Sequence, residues 1–128
     1  YWGSRFFHER FKLPIAITEN GTATRDQVFL DGKVHDPQRI DFMHRYLLGV
    51  ARAVKENIPI MGYWAWSLLD NFEWADGYKE RFGLVYVDFQ NQRRIPKDSF
   101  AWYKEVIASN GRSLVANPGV MPFTKVTG

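Results

Sequence analysis

Two short apolar runs, separated by one long amphipathic segment, constrain the fold of this chain more than any other feature. Residues 14–21 (Pro-Ile-Ala-Ile-Thr-Glu-Asn-Gly) and residues 58–66, which end in Trp-Ala-Trp, are typical of buried strands. Between them, Asp36-Pro37 opens an apolar stripe at three- and four-residue spacing that predicts a helix to about residue 57. Strand, helix and strand in this order form a βαβ unit with parallel strands, so an α/β fold is predicted.

One acid lies at the end of the first predicted strand. Glu19 directly precedes the polar pair Asn20-Gly21. In parallel α/β sheets the reactive groups lie where strands end and loops begin, so Glu19 is a candidate catalytic residue. A helix N-cap or a solvated loop acid is the ordinary alternative. This stretch alone does not separate the alternatives.

The flanking segments predict a mixture of helix, hairpin and loop. Helices are expected at residues 1–12 and 96–110, loops at 22–34 and 67–81, and a hairpin formed by 82–89 and 93–95. Gly111 is the expected stop of the last helix. Residues 112–128 contain proline and glycine without a helical period, so this tail is expected to wrap the surface or be disordered.

Composition excludes several classes of protein. The net charge is +3, but the basic residues are scattered, which indicates a solvated surface rather than a nucleic-acid site. The chain has no cysteine, which excludes a disulfide scaffold or thiolate metal site and fits a reducing compartment; a cytoplasmic location is expected. No apolar run reaches the roughly 20 residues of a membrane span, so no membrane partner is expected.

Aromatic residues make up 16% of the chain. Such an excess either fills a core or lines a site for flat ligands such as sugar rings, and the core is the default for most of these side chains. His44 lies on the apolar stripe of the predicted helix, without a second histidine or acid at ligand spacing. We therefore expect a packed core histidine and no metal site.

The parallel strands bring a set of polar and aromatic groups together. Glu19 ends the first strand, while Trp66 ends the second and is followed by a loop with Glu73 and Trp74. One carboxylate at a reaction centre, a second as hydrogen-bond acceptor and an indole as floor suit a pyranose. Sugar C–H groups pack on aromatic rings, and sugar hydroxyls donate to carboxylates.

These residues carry a family resemblance. Residues 17–21 (Ile-Thr-Glu-Asn-Gly) and 64–74 (Trp-Ala-Trp-Ser-Leu-Leu-Asp-Asn-Phe-Glu-Trp) closely resemble the C-terminal quarter of family 1 glycoside hydrolases, the β-glucosidase family. The resemblance continues through residues 77–78, 81–88 and 96–99 and covers about residues 7–111. It implies a (β/α)8 TIM barrel, with residues 1–111 supplying the last two β/α units and residues 112–128 a C-terminal tail.

The resemblance also implies roles for individual residues. Glu19 would end the seventh strand as nucleophile, and Trp66 would end the eighth as a platform under the sugar. Glu73 would accept hydrogen bonds from the C4 and C6 hydroxyls, Trp74 would donate its indole N–H to the C3 hydroxyl, and Phe82 would shape the wall near C6. Relatives acting on 6-phosphorylated sugars tend to carry a small polar residue in place of Glu73, so an unphosphorylated glycone is expected. No cofactor is implied.

The same resemblance leads to two further expectations. Relatives often hold the peptide after the tryptophan matching Trp66 in the cis form, so Trp66-Ser67 is expected to be cis. Retaining glycosidases need two carboxyl groups, and the family places its acid/base glutamate in an Asn-Glu-Pro motif that does not occur here. A complete barrel takes about 250 residues. The chain is therefore expected to be a fragment.

Two functions follow from this expectation. In the first, the chain is part of a retaining β-glucosidase acting on β-glucosides or short β-linked oligosaccharides, and is inactive without the N-terminal part of the barrel. In the second, it is a sugar-binding or self-associating fragment without turnover. Two unpaired parallel strands expose edges and an apolar face, so either the rest of the barrel or another copy of the chain is the expected partner.

Overall fold

The computed structural model describes residues 1–116, and within them the chain alternates between helices and short strands. In order these are α1 (Trp2–Phe11), β1 (Ile15–Asn20), α2 (Pro37–Lys55), β2 (Ile60–Ala65), a 3-10 turn (Trp74–Asp76), β3 (Val85–Val87), β4 (Arg94–Pro96), α3 (Asp98–Ala108) and α4 (Ser113–Ala116). The order β1, α2, β2 confirms the predicted βαβ unit.

Strands β1 and β2 pair in parallel, as the crossover connection requires. Their register joins Ile15 to Ile60 and Asn20 to Ala65, with irregular steps between. Asn20 and Ala65 are the last residues of their strands, so β1 ends one residue after the predicted Glu19 and β2 one residue before the predicted Trp66. The carboxyl ends of the two strands therefore lie side by side, which is the arrangement that the sequence predicts for the site.

The predicted hairpin is also present, in shorter form. Strands β3 and β4 pair antiparallel, with Tyr86 opposite Ile95. The prediction of a strand over residues 82–89 is wrong for its first three and its last two residues. The Phe82 carbonyl and the Leu84 amide bond instead to the backbone of Ser67, at 3.1 and 2.8 Å. Residues 82–84 are thus hydrogen-bonded to Ser67, just after β2, and the hairpin begins at the next residue.

The residue before α2 forms hydrogen bonds that hold α2 beside α3. Pro37 is the first helical residue, as predicted, but the Asp36 carboxylate does not cap this helix. It accepts hydrogen bonds from the backbone N–H and hydroxyl of Ser99, at 2.9 and 2.6 Å. Ser99 lies in the first turn of α3, where amide groups have no partner within the helix. The carboxylate predicted to cap α2 therefore accepts a hydrogen bond from an amide at the start of α3.

The interior is aliphatic, so the expectation that most aromatic residues fill a core is wrong for residues 1–116. The buried hydrophobic side chains are Val34, Met43, Leu47, Ala53, Ile58, Leu84, Val85, Val87, Val106 and Leu114. Large aromatic side chains lie on the surface instead, among them Phe6, Phe7 and Phe11 of α1 and Trp64 of β2. A two-stranded sheet with one layer of helices buries one face only. On the other surfaces aromatic side chains contact one another but stay exposed, as Phe7 does between Phe6 and Phe11.

The C-terminal elements differ from the expectation of an irregular tail. Helix α3 ends near Gly111, whose φ of +78° suits glycine, but the chain then forms α4. Leu114 of α4 is buried against Leu47 and Val106, and its carbonyl lies 2.9 Å from Nε2 of His44. His44 is 4% exposed, which confirms the packed core histidine. Residues 117–128 lie outside the described residues.

Two other observations bear on the predictions. The Trp66-Ser67 peptide is cis, as expected. In the part of the chain that the structure describes, no helix is both long enough and apolar enough to cross a bilayer.

A histidine joins the loop before α2 to the start of α3. His35 Nδ1 lies 2.6 Å from Oδ2 of Asp98, and Nε2 lies 3.0 Å from Oδ2 of Asp31. The hydrogen bond with Asp98, followed by that with Asp31, raises the pKa of His35 above its ordinary value. A raised folded-state pKa means that the protonated form stabilises the fold. This contribution is complete below the unfolded pKa of about 6.5 and is lost as the pH rises through the higher folded value.

We expect NMR titration of the His35 ring to give a midpoint above that of an unperturbed histidine. Asp98→Asn should lower this midpoint, because it removes the largest cause of the shift. Asp41→Asn is the control, since Asp41 pairs with Arg45 on the exposed surface of α2. A His35 midpoint that Asp98→Asn and Asp41→Asn change equally would contradict this assignment.

Candidate functional site

The end of β1 positions Glu19 beside the end of β2. The amide of Trp66 donates to the carbonyl of Asn20 at 2.9 Å, so the residue after Glu19 is bonded directly to Trp66. A Cβ on Gly21 would lie 1.7 Å from the Trp66 carbonyl oxygen, so this close approach of the two backbones requires glycine. Glu19 itself is exposed. The strand ends thus hold an exposed acid, Glu19, one residue from the backbone bond between Asn20 and Trp66.

Asn20 is held by a tyrosine from the helix-covered side of β2. The Tyr63 hydroxyl donates to Oδ1 of Asn20 at 2.8 Å. Burial, with smaller contributions from Tyr103 and Tyr46, raises the pKa of Tyr63, so its hydroxyl remains protonated at neutral pH. This bond fixes the residue that follows Glu19.

Trp66 also contacts the second predicted carboxylate. Its indole Nε1 donates to Oε2 of Glu73 at 3.4 Å, and both side chains are partly buried. The Glu73 backbone forms a narrow turn, because its amide donates to the carbonyl of Gly77 at 2.7 Å. The indole platform and the candidate acceptor therefore form one unit, although they lie seven residues apart.

Trp74 and Phe82 occupy different positions around this unit. Trp74 begins the 3-10 turn with a φ of +42° and is 82% exposed, so its side chain is available to a ligand. Phe82 is partly buried, and its carbonyl accepts the Ser67 amide. The structure thus brings Trp66, Glu73 and the Phe82 backbone together at the end of β2, with Glu19 on the adjoining strand end.

Sequence reasoning missed a group of buried charges beneath these loops. We call it the buried ion cluster; its members are Asp26, Asp36, Arg39, Asp70, Arg81 and Lys97. Three carboxylates and three cations balance one another. The side chains are at most 2% exposed, except for Arg81 at 16%. Charges so deeply buried are stable only when they are paired and hydrogen-bonded.

The cluster joins the two loops that follow β1 and β2. Arg39 donates to Asp26 at 2.8 Å and to the Arg81 carbonyl at 2.7 Å. The Thr24 amide donates to that same carbonyl at 3.2 Å. Burial alone would raise the pKa of Asp26, but hydrogen bonds from Arg39 and Lys97 outweigh it and hold the pKa below its usual range. Asp26 is therefore ionised at neutral pH.

A weak signal for this cluster is present in the sequence. Asp70, Arg81 and Lys97 lie within the segments that carry the family resemblance, yet none of the predicted sugar contacts uses them. Among residues 1–116, no group of three or more His, Cys, Asp or Glu side chains could hold a metal ion.

Comparisons with known proteins agree on one family. The family model described as Glycosyl hydrolase family 1 matches residues 4–112. Beta-glucosidase A of Thermotoga maritima is 49% identical over 112 residues, which are 87% of this chain and 25% of that protein. A 6-phospho-beta-galactosidase of Leptotrichia buccalis is 48% identical over 92 residues, which are 72% of this chain and 20% of the relative.

Solved structures give the same result. A beta-glucosidase from Thermotoga maritima in complex with deoxynojirimycin matches with a TM-score of 0.86 and 48% identity. The match covers 87% of this chain and 26% of that one. The chain thus spans about a quarter of the length of this structure and of the Thermotoga maritima relative, and 20% of the phosphogalactosidase.

Proposed function

Because the chain belongs to glycosyl hydrolase family 1, we propose that it supplies the nucleophile and the glycone-binding side of a retaining β-glucosidase. One observation carries the proposal. The end of β1, with Glu19, is bonded to Trp66, and the Trp66 indole donates to Glu73 at 3.4 Å. Family membership and β-glucosidase relatives favour this function over a sugar-binding module without turnover.

The chain forms part of a TIM barrel, and we assign it the last two β/α units. On this assignment β1 is the seventh strand and β2 the eighth, while residues 1–111 form the barrel segment and residues 112–128 a tail. The parallel pairing of β1 and β2 across α2 supports it. So does the position of Glu19 and Trp66, because TIM barrels carry their active sites at the carboxyl ends of the strands.

The proposed reaction uses Glu19 as the attacking group. Its carboxylate attacks the anomeric carbon and forms a glycosyl ester, while the leaving oxygen takes a proton from a second carboxylic acid. Water then attacks the anomeric carbon, gives a proton to that second carboxylate and releases Glu19. We place the second carboxyl group outside this chain, because the family's Asn-Glu-Pro motif does not occur in it.

For the glycone contacts we adopt the roles that the family resemblance implies for four side chains. Trp66 offers a ring face to the sugar, and its N–H orients Glu73 to accept from the C4 and C6 hydroxyls. The exposed Trp74 donates its N–H to the C3 hydroxyl, and Phe82 forms the wall near C6. A carboxylate at Glu73 would repel a 6-phosphate. We therefore infer an unphosphorylated β-glucoside or short β-linked oligosaccharide as substrate.

The partner of this chain is the rest of the barrel, on our proposal, and the isolated chain is inactive. Large apolar side chains on its surface support this, including Met61 and Trp64 of β2 at 74% and 56% exposure. Another copy of the chain could cover the same surface, but it would not supply the acid/base motif. The absence of cysteine is consistent with the cytoplasmic location that we propose.

A chimera tests the proposal. Residues 4–112 would replace the matching quarter of the Thermotoga maritima relative to give a complete barrel. We expect the purified chimera to hydrolyse 4-nitrophenyl β-D-glucoside and to prefer it to the 6-phosphate derivative. A cooperatively melting chimera without hydrolysis, or one that prefers the phosphorylated sugar, would contradict the proposed function.

A further inference from the structure

We propose that Lys97 is a positioning residue that sets the distance between Glu19 and the Glu73 carboxylate. The inference rests on the proposed function and deepens it. Lys97 precedes α3 and is far from both strand ends in the sequence. Its ammonium group nevertheless contacts the loops that follow β1 and β2, and it touches neither predicted carboxylate.

Two ion pairs define the link. Lys97 Nζ donates to Oδ1 of Asp70 at 2.8 Å and also contacts Oδ2 of Asp26. Asp26 lies in the loop after Glu19, and Asp70 lies three residues before Glu73. The Lys97 side chain is 0% exposed, so water does not screen either pair. One buried cation therefore connects the loop of the proposed nucleophile to that of the proposed glycone acceptor.

Asp70 lies at one end of the loop that follows β2 and is hydrogen-bonded to residues at the other end. Its carboxylate accepts from Arg81 at 2.6 Å and from the Gly83 amide at 2.9 Å. A Cβ on Gly83 would lie 2.2 Å from the Asp70 amide nitrogen, so the loop ends pack too closely for any other residue. Asp70 thus closes residues 70–83 into one unit, and this unit contains Glu73 and Phe82.

Removal of the Lys97 charge should weaken the connection between the two loops, while each carboxylate keeps one cationic partner. Asp70 would keep Arg81, and Asp26 would keep Arg39. The two loops would then be held together through the Arg81 carbonyl, which accepts from the Thr24 amide and from Arg39. A misplacement of about 1 Å in a binding group can cost about 100-fold in rate. We therefore expect Lys97→Met to lower kcat/KM by about 10- to 100-fold in the chimera.

A double-mutant cycle with Glu73→Ala separates positioning from a general structural role. If Lys97 acts through Glu73, Lys97→Met should change kcat/KM less than about threefold once Glu73 is absent. Titration of active sites with a slow-turnover 2-fluoro glucoside corrects each value for the fraction of competent enzyme. Lys104→Met on the exposed surface of α3 is the matched control and should have no effect in either background.

The outcomes distinguish this inference from the proposed function. An equal loss in both backgrounds, or a loss under threefold in the parent chimera, would overturn the positioning role and leave the proposed function intact. Glu73→Ala without effect would overturn the proposed glycone site, and the inference with it. If Lys97→Met does not fold, Asp26→Asn tests the same link. Lys97 then keeps Asp70, Arg39 keeps Asp36, and the same dependence on Glu73 is expected.

Discussion

Replacement of Glu19 by glycine is expected to abolish hydrolysis in the chimera, with a loss in kcat of about 10⁴-fold or more, while glucose binding is largely retained. The carboxylate is the proposed attacking group, so its removal eliminates the covalent step. The proposed glycone contacts, from Trp66, Glu73 and Trp74, would remain in place. Initial rates on an aryl β-glucoside and calorimetric titration with glucose measure the two quantities separately.

Two further variants control for this result. Glu19→Gln keeps the volume of the side chain and should be as inactive as the glycine variant. Glu105→Gln makes the same change on the exposed surface of α3 and should leave the rate unchanged. A Glu19→Gly enzyme within tenfold of the parent kcat would exclude Glu19 as the nucleophile.

Glu73→Ala is expected to lower kcat/KM by roughly 10²- to 10⁴-fold without blocking the covalent step. The two proposed charge-assisted hydrogen bonds to the sugar would contribute about 1.5–3 kcal/mol each if they are fully formed in the transition state. At about 1.36 kcal/mol per factor of ten, their loss gives this range. Glu73→Gln should lose less, since its amide oxygen still accepts hydrogen bonds.

The choice of substrate provides the control for Glu73. A 6-deoxy glucoside lacks one of the two proposed donors, so the free-energy cost of Glu73→Ala should fall by about half. The cost should be unchanged for a substrate altered only in the aglycone. An equal cost on the 6-deoxy and parent glucosides would mean that Glu73 does not contact the C6 hydroxyl.

The positions of the strand ends could be predicted because their signals are local. Glu19 and Trp66 each close a short apolar run, and the βαβ rule aligns the two runs without further information. The contact between Trp66 and Glu73 had no such signal. It depends on the turn in which the Glu73 amide bonds to the Gly77 carbonyl. The sequence placed the two residues in one candidate sugar site but did not predict a direct bond between them.

The buried ion cluster could not be predicted from local patterns. Lys97 and Asp26 are 71 residues apart, and each lies among polar neighbours that suggest a solvated surface. Burial of a charge becomes favourable only through partners that the fold brings together. Asp36 shows the same limit, because its position predicted a cap for α2 while its carboxylate bonds to Ser99 of α3. Helix α4 was missed because a single turn has no measurable period.

Covalent labelling tests the central claim most directly, namely that Glu19 is the nucleophile and Glu73 a binding group. The chimera, Glu19→Gly and Glu73→Ala would each be incubated with a slow-turnover 2-fluoro glucoside, then digested and analysed by mass spectrometry. We predict one adduct on the peptide containing Glu19 in the parent and in Glu73→Ala, and none in Glu19→Gly. An adduct on Glu73, or labelling that persists in Glu19→Gly, would contradict the account.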